Sequence, residues 1–129
     1  MISEPKKIQI SDLAINIADK CQERCRHVTI ILYKNRIISI GLNSGKTNTN
    51  AAKFYSYPSI HSELDALRKA PKKYNLRKCV LVNFRISREP DKQTFLMSRP
   101  CSSCMKTIES YGITKVMYTN NRGQLEKLK

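Results

Sequence analysis

Val28-Thr29-Ile30-Ile31-Leu32-Tyr33 is a short run of apolar residues, rich in β-branched side chains, and it decides the class of the fold. Runs of this length and composition are typical of strands buried within a sheet. The next residues, Lys34-Asn35, can turn the chain back into a second strand from Arg36 to Leu42. The sequence therefore predicts a β-hairpin at this point.

Helical and strand patterns alternate on both sides of the hairpin. Apolar residues recur at helical spacing after Ser11-Asp12, so an amphipathic helix is predicted over residues 12–25, with Cys21 and Cys25 on its core stripe. Downstream, the patterns predict a polar loop over 43–59, a helix over 60–70, a strand over 78–86, a helix over 101–111 that ends at Gly112, a strand over 115–119, and a short antiparallel strand in the last six residues. This order predicts an α/β domain in which helices are layered on a sheet.

Composition narrows the class of protein. The 129 residues, 40% hydrophobic and 26% charged, fit one globular domain and leave no room for a second core. No stretch approaches the ~18 apolar residues that span a bilayer. Residues 1–7 also lack the apolar stretch of an export signal, so we expect no membrane contact and a cytoplasmic location. Five cysteines, an odd number, exclude a complete disulfide framework and agree with a reducing compartment.

The net charge leaves two interpretations open. Twenty-four basic and ten acidic residues give +14, and such an excess attracts phosphate-bearing partners such as nucleotides, DNA or RNA. The same composition also fits a lysine-rich solvated surface, since the basic residues are scattered and form local runs only at 68–73 and 77–78.

Two short motifs contain side chains that can bind a metal, His61-Ser62-Glu63 and Pro100-Cys101-Ser102-Ser103-Cys104. One imidazole and two thiolates are three protein ligands, the number found at a catalytic zinc whose fourth position is left to water. Both motifs stand at predicted helix starts, where the partial positive charge of the helix stabilises thiolates. The alternative is that the cysteines belong to an ordinary apolar helix stripe and that His61 is a hydrogen-bonded surface histidine.

Glu63 helps to separate these two interpretations. Residues two apart on a helix do not face each other, so Glu63 is a poor fourth ligand beside His61. It lies in register with Leu67 and Ala70, which places its carboxylate on the buried stripe of the helix. An unpaired buried charge is unfavourable, so this carboxylate must have a partner or a purpose. A neighbouring zinc-bound water provides both.

The pattern H-x-E…P-C-x-x-C, with Gly41-Leu42-Asn43 at the end of the second strand, resembles the cytidine/deoxycytidylate deaminase superfamily, the zinc-dependent nucleobase deaminases. The resemblance implies a three-layer α/β/α cytidine-deaminase-like fold with a mixed central sheet, forming a single zinc-dependent deaminase domain over 1–129. It also implies Zn²⁺ as the cofactor, held by His61, Cys101 and Cys104, with Glu63 as the residue that moves protons.

Substrate contacts are expected in and near the polar loop. Asn43 matches a position at which the superfamily uses an asparagine to hold substrate, and Ser62 is a further substrate-binding candidate. Lys46 can lie near a phosphate and Phe54 can stack on a base, although a solvated charge and plain loop packing remain alternatives for these two residues. Three arginines flank the strand and loop that precede the Pro-Cys motif and either contact a substrate phosphate or lie in solvent: Arg85, Arg88 and Arg99.

Three hypotheses on function follow. The first is hydrolytic deamination of a cytosine nucleotide, a deoxycytidylate-type monophosphate, to the uracil form with release of ammonia. The second is the same chemistry on single-stranded DNA or RNA, which the positive charge favours. The third is a nucleic-acid-binding module with a structural zinc, against which Glu63 argues. A homo-oligomer is also expected, because members of the superfamily commonly assemble.

Overall fold

The computed structural model describes residues 2–19, 26–43, 61–89 and 93–128. Within these ranges the chain forms three α-helices and six strands. The helices are α1 (Glu4–Ala18), α2 (Ser62–Lys69) and α3 (Ser102–Ser110). The strands are β1 (Arg26–Tyr33), β2 (Arg36–Leu42), β3 (Cys79–Ile86), β4 (Phe95–Leu96), β5 (Lys115–Thr119) and β6 (Leu125–Lys127), and a short 3₁₀ helix, Leu76–Lys78, leads into β3.

The strands form one mixed sheet in the order β2-β1-β3-β5-β6, with β4 paired to β3. β3 and β5 are parallel and α3 lies between them in the chain, whereas the other paired strands are antiparallel. The predicted hairpin is confirmed, since Lys34 and Asn35 have the positive φ angles, 49° and 64°, that a tight two-residue turn requires. The predicted last strand is confirmed as β6, antiparallel to β5.

Helices cover both faces of the sheet. On one face α1 buries Ile10, Ala14 and Ala18 in a cluster with residues of β1 and β3, namely Val28, Ile30, Val82 and Phe84. On the other face Ala66 and Leu67 of α2 and Ile108 of α3 pack into a cluster with residues of β1, β3 and β5, namely Ile31, Leu81 and Val116. The middle strands are therefore buried on both faces, which explains their continuous apolar runs. The three-layer α/β/α fold with a mixed central sheet is confirmed.

Helix α2 lies directly on β2 because position 41 is a glycine. A Cβ atom at Gly41 would lie 2.2 Å from the carbonyl oxygen of Ser62 and 2.4 Å from the amide nitrogen of Ala66. Two hydrogen bonds close the same contact, from the Ser39 hydroxyl to the Ala66 carbonyl (2.6 Å) and from the Leu42 amide to the Asp65 carboxylate (3.0 Å). The first turn of α2 is therefore held at a fixed height above the sheet.

The predicted first helix was wrong in its bounds. It begins at Glu4, where the Ser3 hydroxyl accepts a hydrogen bond from the Lys6 amide (3.3 Å) and a proline follows in the first turn. Ser11, predicted to start the helix, instead donates to the Lys7 carbonyl within it (2.8 Å). The helix ends at Ala18, and Cys21 and Cys25 lie outside the described residues.

The bounds of β2 and β5 are as predicted, and those of β1, α2, β3 and α3 differ from the predictions by a residue or two. α2 begins at Ser62 rather than residue 60, because His61 is its N-cap. α3 has Tyr111 as its C-cap, and Gly112 follows it with a φ of 95°. The short strand β4 and the 3₁₀ helix were not predicted. No helix in the described part of the chain is long and apolar enough to cross a membrane.

Candidate metal centre and active site

Three predicted metal ligands meet between the starts of α2 and α3. The Nδ1 atom of His61 lies 3.0 Å from the Sγ atom of Cys104. Together with the Cys101 sulfur, these ligand atoms all lie within 4.8 Å of one another. Zinc–nitrogen and zinc–sulfur bonds of ~2.0 and ~2.3 Å in a tetrahedron place two such ligands about 3.6 Å apart. The three atoms therefore span a site of the size that one Zn²⁺ requires.

Helix geometry explains how the ligands converge. His61 and Cys101 are the N-caps of α2 and α3, and neither side chain caps its own helix. Cys104 lies in the first turn of α3 and is buried, whereas His61 is half-buried and Cys101 is exposed. The partial positive charge at a helix N-terminus favours thiolates over thiols, and zinc binds the thiolate form. Among the described residues, no other group of three histidine, cysteine or acidic side chains comes as close together.

The protonation of His61 suits a ligand. Burial lowers the pKa of His61, while the negative charge of Glu63 acts in the opposite direction. Because burial has the larger effect, the imidazole is neutral over a wider range of pH than an exposed histidine. A metal binds the neutral form, whose nitrogen lone pair is available.

Glu63 is buried next to this cluster, with 5% of its surface exposed. Its Oε2 atom accepts a hydrogen bond from the side-chain amide of Asn83 (3.0 Å), and its Oε1 atom accepts one from the Ser62 hydroxyl (3.2 Å). The prediction that Glu63 lies on the buried face of its helix is thus confirmed, and the carboxylate has the partners that burial requires.

Sequence reasoning missed the polar groups beneath Glu63. Asn83 and Thr29 face each other on β3 and β1, and both are buried within strands that were interpreted as apolar. A signal was present, because an amide in the middle of a buried strand needs hydrogen-bond partners. Its partners could not be named from the sequence, since they depend on strand pairing.

The predicted substrate contacts fall in different places. Asn43 lies at the end of β2, where its Oδ1 atom accepts a hydrogen bond from the backbone amide of His27 (2.9 Å). Ser62 is fully buried, with its hydroxyl near Glu63 and 2.8 Å from the Thr29 hydroxyl. Its hydroxyl thus faces protein groups behind the carboxylate, and its contact with substrate stays a prediction. Lys46 and Phe54 lie outside the described residues.

Two further ionisable side chains stand on the same face of the sheet. His27 pairs with Arg85 across β1 and β3, two residues along from the Thr29–Asn83 pair, so all four side chains share one face. Burial lowers the pKa of His27, the charge of Glu63 opposes this, and the charges of Arg85 and His61 lower it further. These mutual effects place His27 and Arg85 in the electrostatic neighbourhood of the candidate site.

Comparison with known proteins identifies the family. Residues 5–120 match the family model described as the cytidine and deoxycytidylate deaminase zinc-binding region. No curated protein sequence matches the chain significantly.

Similar solved structures have the same fold. The deoxycytidylate (dCMP) deaminase of the cyanophage S-TIM5, in complex with dCMP and dUMP, is 19% identical, with a TM-score of 0.61 over 94% of this chain and 85% of that one. The apo form of the same enzyme is 22% identical, with a TM-score of 0.56 over 94% of this chain and 86% of that one. The cytidine deaminase of Burkholderia pseudomallei is 15% identical, with a TM-score of 0.63 over 99% of this chain and 93% of that one.

The family match covers most of the chain, and the His/Cys/Cys cluster fits the Zn²⁺ that this family binds. The chain belongs to the cytidine and deoxycytidylate deaminase family and is a zinc-type deaminase of nucleotides or nucleosides.

Proposed function

We propose that this enzyme deaminates a cytosine nucleotide, a deoxycytidylate-type monophosphate, to the uracil form and releases ammonia. The observation that carries the proposal is the buried carboxylate of Glu63 beside the group formed by His61, Cys101 and Cys104. A structural zinc site has no use for such a carboxylate. Family membership argues further against the third hypothesis, a nucleic-acid-binding module with a structural zinc.

In this proposal His61, Cys101 and Cys104 would hold Zn²⁺. When bound, zinc makes a water acidic, lowering its pKa toward ~7. The carboxylate of Glu63 accepts a proton from the attacking water and passes it to the ring nitrogen beside the amino-bearing carbon. Glu63 then takes the remaining proton of the hydroxyl that water has added to this carbon and delivers it to the departing amine, which leaves a carbonyl group on the ring. One C–O bond forms and one C–N bond breaks, so cytosine and water become uracil and ammonia.

The position of one arginine supports a monophosphate as substrate. Arg85 lies on the face of the sheet that carries Asn83 and Thr29, at the end nearer the candidate site. A guanidinium can bind a phosphate through two parallel hydrogen bonds. A nucleoside lacks the phosphate and cannot form this contact. The cyanophage enzyme of similar fold is a dCMP deaminase whose structure holds dCMP and dUMP. Asn43, at the same end of β1, remains our candidate for holding the sugar or base.

Single-stranded nucleic acid remains the second candidate substrate because of a separate basic cavity. This cavity of about 310 Å³ is lined by four exposed cations at one end of the sheet: Lys34, Arg77, Lys78 and Lys115. These residues stand at the ends of β1, β3 and β5 opposite to Glu63 and its partner Asn83. A nucleotide held beside Glu63 would not reach them, whereas a longer strand could contact both places.

The test is an absorbance assay of the zinc-loaded enzyme with cytidine, deoxycytidine, their monophosphates and a cytosine-rich oligonucleotide. We expect turnover of the deoxycytidine monophosphate and a loss of at least 10²-fold in kcat for Glu63→Gln, since general acid–base catalysis contributes this much. Activity on the oligonucleotide alone would instead favour the second candidate. Turnover in Glu63→Gln equal to that of the unchanged enzyme would contradict the mechanism.

Arg85→Gln tests the phosphate contact. We expect KM for the monophosphate to rise about tenfold or more, because a charge-assisted hydrogen bond is lost, with little change in KM for deoxycytidine. The matched control is Arg77→Gln, an exposed arginine at the far end of the strands, which should leave both values unchanged. Equal effects of Arg85→Gln on both substrates would refute this contact.

A single domain over residues 1–129, a homo-oligomer and a cytoplasmic location stay predictions. Size-exclusion chromatography with light scattering would measure the oligomeric state directly.

A further inference from the structure

A chain of buried polar side chains runs beneath Glu63. Among its members, Thr29, Ser62 and Asn83 have 0%, 0% and 1% of their surfaces exposed, and Ser98 has 3%. Polar groups this deep must be hydrogen-bonded to one another or they destabilise the fold. Apolar side chains at these positions would not need such partners. The hydrogen bonds that the four polar side chains make therefore indicate their role.

The side-chain amide of Asn83 can have only one orientation. The Thr29 hydroxyl lies 2.5 Å from Oδ1 of Asn83, and an amide oxygen can only accept, so the single hydroxyl hydrogen of Thr29 points to it. On the other side, Nδ2 faces the Oε2 atom of Glu63 at 3.0 Å and the Ser98 carbonyl at 2.9 Å. Both are acceptors, and the amide nitrogen carries the two hydrogens that they need. If the amide were flipped, its oxygen would face these two acceptors and could form a hydrogen bond with neither.

The backbone of Asn83 is held as firmly as its side chain. The Ser98 hydroxyl donates to the Asn83 carbonyl (2.7 Å), and the Thr119 amide donates to that hydroxyl (2.7 Å). Ser98 also lies three residues before Cys101, one of the proposed zinc ligands. Asn83 therefore connects Glu63 on α2 to the segment that leads into α3.

The two oxygens of Glu63 are not held equally. Since the hydrogen of Thr29 is directed to Asn83, the 2.8 Å contact between the Thr29 and Ser62 hydroxyls must use the hydrogen of Ser62. That hydrogen is shared with the longer 3.2 Å contact to Oε1 of Glu63. Oε2 therefore receives a hydrogen of the Asn83 amide, whereas Oε1 shares the hydrogen of Ser62 with the Thr29 hydroxyl.

We propose that Asn83 is a positioning residue that anchors Oε2 of Glu63 and leaves Oε1 as the oxygen that exchanges protons with water and substrate. Thr29 acts one step further away by fixing the orientation of the amide. This inference rests on the proposed role of Glu63 in catalysis. It adds a source for the fixed geometry that proton transfer needs, since a misplacement of ~1 Å can lower the rate about 10²-fold.

The test compares kcat and KM of four zinc-loaded variants: Asn83→Leu, Thr29→Val, Thr29→Ser and the control Thr107→Val. We expect Asn83→Leu to lower kcat by roughly 10²-fold and Thr29→Val by roughly tenfold, with KM changed less than about threefold. Thr29→Ser keeps the hydroxyl and should restore kcat to within about threefold of the unchanged enzyme. Thr107 is also a fully buried threonine, but its hydroxyl donates to the Ser103 carbonyl within α3 (3.0 Å), so Thr107→Val should leave kcat unchanged.

Zinc content and thermal unfolding are measured for each variant. If Asn83→Leu does not fold, the Thr29→Val and Thr29→Ser pair decides the question. The inference is overturned if Thr29→Val matches Thr29→Ser in kcat, or if the variants raise KM while kcat stays constant. Failure of the proposed function itself would be recognised separately, because Glu63→Gln would then keep its activity.

Discussion

Gly41→Ala should move the first turn of α2 away from the sheet and so distort the candidate site, without changing a proposed ligand or Glu63. The added Cβ would lie 2.2 Å from the Ser62 carbonyl oxygen and 2.4 Å from the Ala66 amide nitrogen, whereas ordinary contacts begin at 3.4 Å. Both opposing atoms belong to the backbone of α2, so no side chain can rotate away. The first turn of α2 must therefore move away from β2 by about 1 Å.

This displacement carries His61 and Glu63 with it, since both belong to the start of α2. The carboxylate would leave its 3.0 Å contact with the Asn83 amide. We expect kcat to fall about 10²-fold, the effect of a ~1 Å misplacement of a catalytic group. Zinc affinity should fall as well. The free energy of unfolding should decrease by about 1–3 kcal/mol, as overpacking of a close contact commonly does.

The assay measures kcat, bound zinc and the urea unfolding curve on the same preparations. Gly112→Ala is the control, because Gly112 has a φ of 95° and, among the described residues, a Cβ there would meet only the Arg77 side chain at 3.6 Å. It should destabilise the protein by about 1–2 kcal/mol through backbone strain while zinc and kcat stay unchanged. A Gly41→Ala variant with full activity, or a Gly112→Ala variant that loses as much activity, would refute the reasoning.

Two more predictions concern the metal and pH. Zinc at 100 times its Kd should stabilise the metal-free protein against unfolding by about 2.7 kcal/mol. In thermal melts with and without zinc, Cys104→Ala should lose most of this stabilisation. Equal stabilisation of the variant and the unchanged protein would argue against Cys104 as a ligand. Because burial lowers the pKa of His27 below its usual 6.5, the unfolded chain binds more protons than the folded one, so stability should be retained above about pH 6.5 and decrease as the pH falls below it. Urea midpoints measured against pH should show a smaller decrease in His27→Gln than in the unchanged protein, and an identical decrease would contradict this assignment.

The hairpin and the two separate motifs of the metal cluster could be predicted because their signals are local. The run from Val28 to Tyr33 is apolar and rich in β-branched residues, and Lys34-Asn35 can form a turn directly after it. The spacing of Cys101 and Cys104 places both on the first turn of one helix. Each of these features depends on residues that are close together in the chain.

The start of α1 shows where local signals compete. Ser3 and Ser11 are both acceptable N-caps, and the apolar residues that follow Ser11 at helical spacing predict a start at Ser11. The structure uses Ser3, because a helix from Glu4 also buries Ile10 in the core while Ile8 on its outer side stays 64% exposed. Propensity alone does not distinguish the two starts. The packing of one face against β1 and β3 does.

The site itself lies where local preferences are broken. His61 and Cys101 occupy N-cap positions that serine or aspartate would stabilise, a glycine interrupts β2 at position 41, and Asn83 interrupts an apolar strand. Each departure is unfavourable for its own element and is explained only by a neighbour that is distant in the chain. His61 meets Cys104, Gly41 meets Ser62, and Asn83 meets Glu63. Conflicts between local preference and fold concentrate at functional sites, and in this chain they gather around the candidate site.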